Sequence, residues 1–145
     1  MRVAFLKGNG IYDRLIQAWT FGPYSHCEFV FTDGVWFGNK PFSDYKTCFH
    51  ARYEDLTNWD MIDIPDFYKH AEADAFKLAE RMNGHSYDWK GIILSQVLPL
   101  SIQDDDKYYC SEAVMYLLKE LGMFSGVSRL RSPNSVRRLL RKAGV

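Results

Sequence analysis

Two residue types in this chain can build a covalent hydrolytic centre, a cysteine and a histidine. The cysteine with the most informative setting is Cys110, in the run Tyr108-Tyr109-Cys110-Ser111-Glu112-Ala113-Val114. A thiolate attacks a carbonyl carbon, and an imidazole takes and returns the proton that such chemistry moves. From Cys110 onward Ala113, Val114, Leu117, Leu118 and Leu121 recur at helical spacing, with Gly122 as a stop. This spacing predicts Cys110 in the first turn of a helix, where free backbone N–H groups and the positive end of the helix dipole favour a thiolate. The same N–H groups can hold an oxyanion. Asp104, Asp105 and Asp106 oppose that ionisation, so the site requires a cationic partner. The plainer reading is a small buried cysteine packed at a helix start.

His26 is the best-placed partner. It opens the β-rich run Ser25-His26-Cys27-Glu28-Phe29-Val30-Phe31, whose alternation sets His26, Glu28 and Val30 on one face and Cys27, Phe29 and Phe31 on the other. Cys27 is thereby read as core. His50 ends a weaker strand, His70 lies among charges in a helix, and His85 adjoins Gly84; all three are read as solvent-facing or locally capped. Cys48 has no base near it in sequence. Ser111 and Glu112 are explained by helix capping and the dipole alone.

The elements that must position these groups follow from the patterning. Val3–Leu6 is predicted as a strand, and Ile11, Leu15, Ile16 and Trp19 mark a helix ending before Phe21-Gly22-Pro23. Thr32-Asp33-Gly34 joins the His26 strand to Val35-Trp36-Phe37 as a hairpin. Further strands are expected over Tyr45–His50 and Trp59–Ile64. Pro65 and Asp66 open a helix with Phe67, Ala71, Ala75, Leu78 and Met82, closed by Asn83-Gly84, and Tyr87–Leu98 reads as apolar and helical. Ser132 caps a final helix with Pro133 at its first position. The fold class expected is α+β, a central antiparallel sheet packed against helices in one domain spanning 1–145.

The chain has 145 residues, 47% of them apolar and 16% aromatic, enough for one core. Lys+Arg and Asp+Glu are equal at 18, which argues against a nucleic-acid partner, although beyond Leu121 the charges are all basic, among them Arg137, Arg138, Arg141 and Lys142. No run is long enough for a signal-peptide core or a membrane span, so a soluble cytoplasmic protein is expected. Three widely spaced cysteines exclude a disulfide framework and a zinc-finger pattern, and neither metal nor cofactor is expected.

Taken in order, Ser25-His26 heading a strand, the Asp33-Gly34 hairpin, Tyr87-Asp88, Tyr109-Cys110-Ser111-Glu112 heading a helix and Ser132-Pro133-Asn134 before a last helix resemble a known pattern. It is that of the circularly permuted NlpC-type papain-like cysteine hydrolases, the branch of YiiX-like and lecithin retinol acyltransferase-like proteins, in which the histidine precedes the cysteine. The resemblance runs from about Gly22 to Leu140 and extends to compact bacteriophage-encoded members. It implies a papain-like fold, Cys110 as nucleophile with its own N–H as oxyanion donor, and His26 as general base. Tyr109 matches the residue before the nucleophile, and Tyr87 the tyrosine bordering the substrate cleft. With Ser111 they form the expected substrate-binding set. Relatives place the residue that orients the histidine on the following strand; that position falls here at Gly38, with Asn39 beside it. Asn39 and Glu28 are therefore both candidates for orienting His26, although two residues apart on one strand is an awkward spacing for a direct Glu28–His26 bond.

The resemblance implies a thiol hydrolase acting on an amide, peptide or ester bond, with acyl transfer as a variant. Expected substrates are peptidoglycan or other peptides and acyl conjugates, and a virion-associated role is an alternative to the host cytoplasm. A competing expectation is a non-catalytic module that binds a host protein through its basic C-terminal patch.

Overall fold

The computed structural model describes residues 1–39, 47–51, 55–84, 110–127 and 132–145, and of Asn39 the backbone alone. Five strands form one antiparallel sheet: β1 (Arg2–Leu6), β2 (His26–Val30), β3 (Trp36–Asn39), β4 (Thr47–His50) and β5 (Trp59–Asp63), in the order β4-β3-β2-β1-β5. Around it lie α1 (Ile11–Trp19), α2 (Glu72–Met82), α3 (Cys110–Glu120) and α4 (Pro133–Lys142). The α+β class expected from the pattern is present. No described helix is long and apolar enough to cross a membrane.

Strand alternation splits the sheet into two faces. Val3, Phe5, Cys27, Phe29, Phe37 and Ile62 point into the main core, where α3 brings Ala113, Val114, Leu117 and Leu118 and α2 brings Ala75, Ala79 and Met82. The second face carries a smaller cluster of Ala4, Val30 and Trp36, flanked by Trp59 and Met61. Glu28, also on this face, is fully buried.

The turn chemistry follows the sequence. Gly34 closes the β2–β3 hairpin at φ +86, a left-handed conformation that glycine adopts without strain, and the strands pair Phe29 with Phe37 and Val30 with Trp36. Ser132 caps α4, its Oγ accepting from Ser135 N at 3.1 Å, with Pro133 at the first helical position.

One expectation is corrected. The helix expected from Pro65 is broken: Asp66–Ala71 is a 3-10 turn, and the α-helix starts at Glu72. In α1, Ile11, Leu15 and Trp19 form an apolar stripe as expected, but they are 78%, 62% and 56% exposed, so the stripe does not join the core. The strand expected from Tyr45 begins at Thr47 among the described residues, and Tyr87–Leu98 lies outside them.

Candidate active site

Two core elements deliver the candidate nucleophile and base. Cys110 is the first described residue of α3, and that helix packs across β2, whose first residue is His26. Packing of Val114, Leu117 and Leu118 against the sheet fixes the helix axis, and Gly122, at φ +87, ends it. The ring of His26 and the sulfur of Cys110 are hydrogen-bonded, and both residues are nearly closed to solvent, Cys110 at 5% and His26 at 7% exposure.

Beyond His26 the chain of contacts continues. His26 Nε2 lies 2.9 Å from Glu28 Oε1. A carboxylate only accepts, so Nε2 carries the hydrogen and Nδ1 is the ring nitrogen left for the sulfur. The spacing judged awkward from sequence therefore closes directly, because the long glutamate side chain folds back along its own strand. Space for this comes from Gly38 on β3: a Cβ there would stand 2.6 Å from Glu28 Cγ. The orienting side chain expected near this position from the resemblance is thus absent at Gly38, and Glu28 fills the volume instead. Asn39 pairs through its backbone with Thr47, while its side chain lies outside the described residues.

His50 overturns its reading as solvent-facing. Its Nε2 lies 2.8 Å from Glu28 Oε2, its Nδ1 lies 3.3 Å from the Cys48 carbonyl, and its side chain is 11% exposed. Cys27 is core, as read, yet both its thiol and its backbone N–H donate to the sulfur of Cys110.

Electrostatics separate the two thiols. The Cys27 hydrogen bond and the positive charge of His26 outweigh burial and hold the Cys110 thiol well below its ordinary value. Burial, reinforced by the adjacent Cys110, pushes the Cys27 thiol well up. Burial alone would lower His26, but Cys110 and Glu28 overcome it and raise the imidazole to about 10. Glu28 is driven the other way: burial would favour the neutral acid, yet contacts with His26 and His50 keep it ionised far below the usual carboxylate range. The shifts together favour a thiolate, an imidazolium and a carboxylate in sequence.

The segment leading into His26 is clamped from α4. Asn134 Oδ1 accepts from Tyr24 N at 3.2 Å, and its Nδ2 donates to Tyr24 O at 2.8 Å and Thr20 Oγ1 at 2.7 Å. Tyr24 also donates its hydroxyl to Asp60, which pairs with Lys7 at 2.9 Å, and the Arg137 guanidinium lies 4.9 Å from the Tyr24 ring centre. Burial and the Asp60 bond push this phenol up to about 12.

Of the expected substrate-binding set, Ser111 is buried in the first turn of α3, and Tyr87 and Tyr109 lie outside the described residues, as do Asp104 to Asp106 and His85. Among the described residues no cluster of His, Cys, Asp and Glu is placed to hold a metal ion. Neither protein-family models nor curated protein sequences give a match to this chain.

Proposed function

We propose that the protein is a thiol hydrolase that cleaves an amide, peptide or ester bond through an acyl-enzyme. The observation that carries the reading is the buried row Cys110–His26–Glu28, in which the thiol is held well below its ordinary value and the imidazole is raised. The resemblance to permuted NlpC-type papain-like hydrolases agrees with it, and on that resemblance the substrate is a peptide, a peptidoglycan stem or an acyl conjugate.

In the first half-reaction the Cys110 thiolate adds to the carbonyl carbon and the electron pair moves onto oxygen. The Cys110 N–H, at the first described residue of the helix, is the donor this reading assigns to that oxyanion. His26 Nδ1 gives its proton to the departing amine or alcohol as the carbon–heteroatom bond breaks, leaving a thioester. His26, now neutral, takes a proton from water as the hydroxide oxygen adds to the thioester carbon. The carbon–sulfur bond breaks, the acid leaves, and thiolate and imidazolium are restored. Glu28 accepts from Nε2 throughout, fixing the tautomer and stabilising the imidazolium.

The test is a panel of activated esters and peptide amides, with acid quenching and intact-mass detection of an acyl group on Cys110. Turnover lost in Cys110→Ala and His26→Ala is the expected result. Alkylation of Cys110 by iodoacetamide no faster than that of Cys27 and Cys48, and unaffected by His26→Ala, would overturn the proposal. A second reading, a non-catalytic module binding an anionic partner, is favoured by the exposure of Arg138, Arg141 and Lys142 on α4. It requires that charge reversal at these three abolish capture of the partner.

A further inference from the structure

We propose that His50 is a positioning residue of this centre, holding Glu28 in the one orientation from which it can orient His26. The inference rests on the reading of Cys110 and His26 as nucleophile and base, and extends it to a residue on the sheet's edge strand.

Glu28 is wholly buried and flexible, with its side chain in a space that no Cβ of Gly38 occupies. One contact, from His26 to Oε1, leaves the carboxylate free to rotate about its last bonds. The second, a close contact of His50 Nε2 with Oε2 at 2.8 Å, sets a ring against the other oxygen and limits that rotation. His50 is itself anchored, its Nδ1 meeting the Cys48 carbonyl within the same strand.

Charge gives a second reason. Thiolate, imidazolium and carboxylate sum to one negative charge in a site almost closed to water, and an uncompensated buried charge is costly. His50 stands on the far side of this negative row, its Nε2 2.8 Å from Glu28 Oε2. The β3–β4 register supplies this partner, pairing Gly38 with Cys48 and Trp36 with His50, so the imidazole reaches Glu28 across the strand that lacks a side chain between them.

The test uses the full chain with His50→Ala, His50→Gln and Glu28→Gln, each checked for folding by thermal melting. The first readout is the pH profile of Cys110 alkylation. In His50→Ala the acidic limb should move up by about one pH unit, an approximately tenfold slower reaction at the pH of the limb. In His50→Gln, whose amide can still donate to Oε2, the limb should return to within about threefold of the unaltered rate. The second readout is kinetic, a fall in kcat with KM unchanged in His50→Ala, not deepened when Glu28→Gln is added. A profile and kcat unaltered in a folded His50→Ala, or losses in His50→Gln as large as in His50→Ala, would overturn the role of His50. An unaltered chain that alkylates rapidly at Cys110 but turns over no substrate would instead sink the hydrolase reading and leave the His50 test readable.

Discussion

Glu28 and Gly38 occupy one volume between them: the carboxylate side chain lies where a Cβ on the facing strand would come within 2.6 Å of its Cγ. Gly38→Ala must therefore displace Glu28, since neither backbone can yield cheaply in the middle of a sheet. Overpacking of this kind costs about 1–3 kcal/mol, and the displaced carboxylate releases His26. Urea denaturation should show that loss, with a fall in kcat larger than the stability change alone explains in protein that remains folded. An alanine variant with unaltered kcat would separate Glu28 from the chemistry.

The pH dependence of stability has a defined shape. Between about 6.5 and 9 the unfolded chain holds a neutral imidazole and a neutral thiol, and the folded chain an imidazolium and a thiolate. Each state binds one proton, so stability is flat there. Below 6.5 the unfolded histidine binds its proton too, so the lowered Cys110 thiol leaves the folded chain with fewer protons and stability falls as the pH drops. It falls further below 4.5 as Glu28, depressed in the fold, is protonated on unfolding. Above 9 the unfolded thiol ionises while His26 keeps its proton to about 10, so stability falls again as the pH rises. Midpoints of urea unfolding from pH 4 to 10 should trace this plateau, and His26→Ala should remove its flat top.

Thiol reactivity should follow the same logic. Cys110 stays nucleophilic at pH 7 because its thiol is held well below the ordinary value, whereas Cys27, pushed up by burial and by its neighbour, stays inert. Iodoacetamide at pH 7 followed by peptide mass mapping should find Cys110 modified first. The order should collapse in His26→Ala, where the thiolate has lost its counter-charge.

Asn134 makes three hydrogen bonds to the segment before His26, two of them to Tyr24 backbone. Asn134→Ala leaves buried backbone groups unpaired, each at about 1–3 kcal/mol, and should lower both thermal stability and turnover. Ser132→Ala removes the cap of the same helix at a cost of about 1 kcal/mol and should spare turnover. Equal activity losses in the two variants would mean that α4 acts only through general stability.

Much of this arrangement was legible in the sequence. The spacing after Cys110 and the run beginning at His26 placed the one residue on a helix and the other at a strand start, because helical and strand periodicities are set locally. The Asp33-Gly34 hairpin and the Ser132-Pro133 cap were readable for the same reason. His50 was not, because its role depends on the register of β4 against β3, a relationship between segments that no local pattern encodes. A signal was present all the same: a glycine at the place where an orienting side chain was expected, facing a glutamate on a central strand. The 3-10 turn at Asp66–Ala71 escaped because apolar residues at three- and four-residue intervals fit either helix type. The exposed stripe of α1 escaped because periodicity identifies a face without saying what covers it.

The clamp between Asn134 and Tyr24 joins positions 110 residues apart. During synthesis, then, sulfur, ring and carboxylate have all been polymerised well before the strut that trues the approach to His26 leaves the ribosome. A chain stopped short of α4 would carry thiol, ring and carboxylate without the clamp that sets the segment leading into His26.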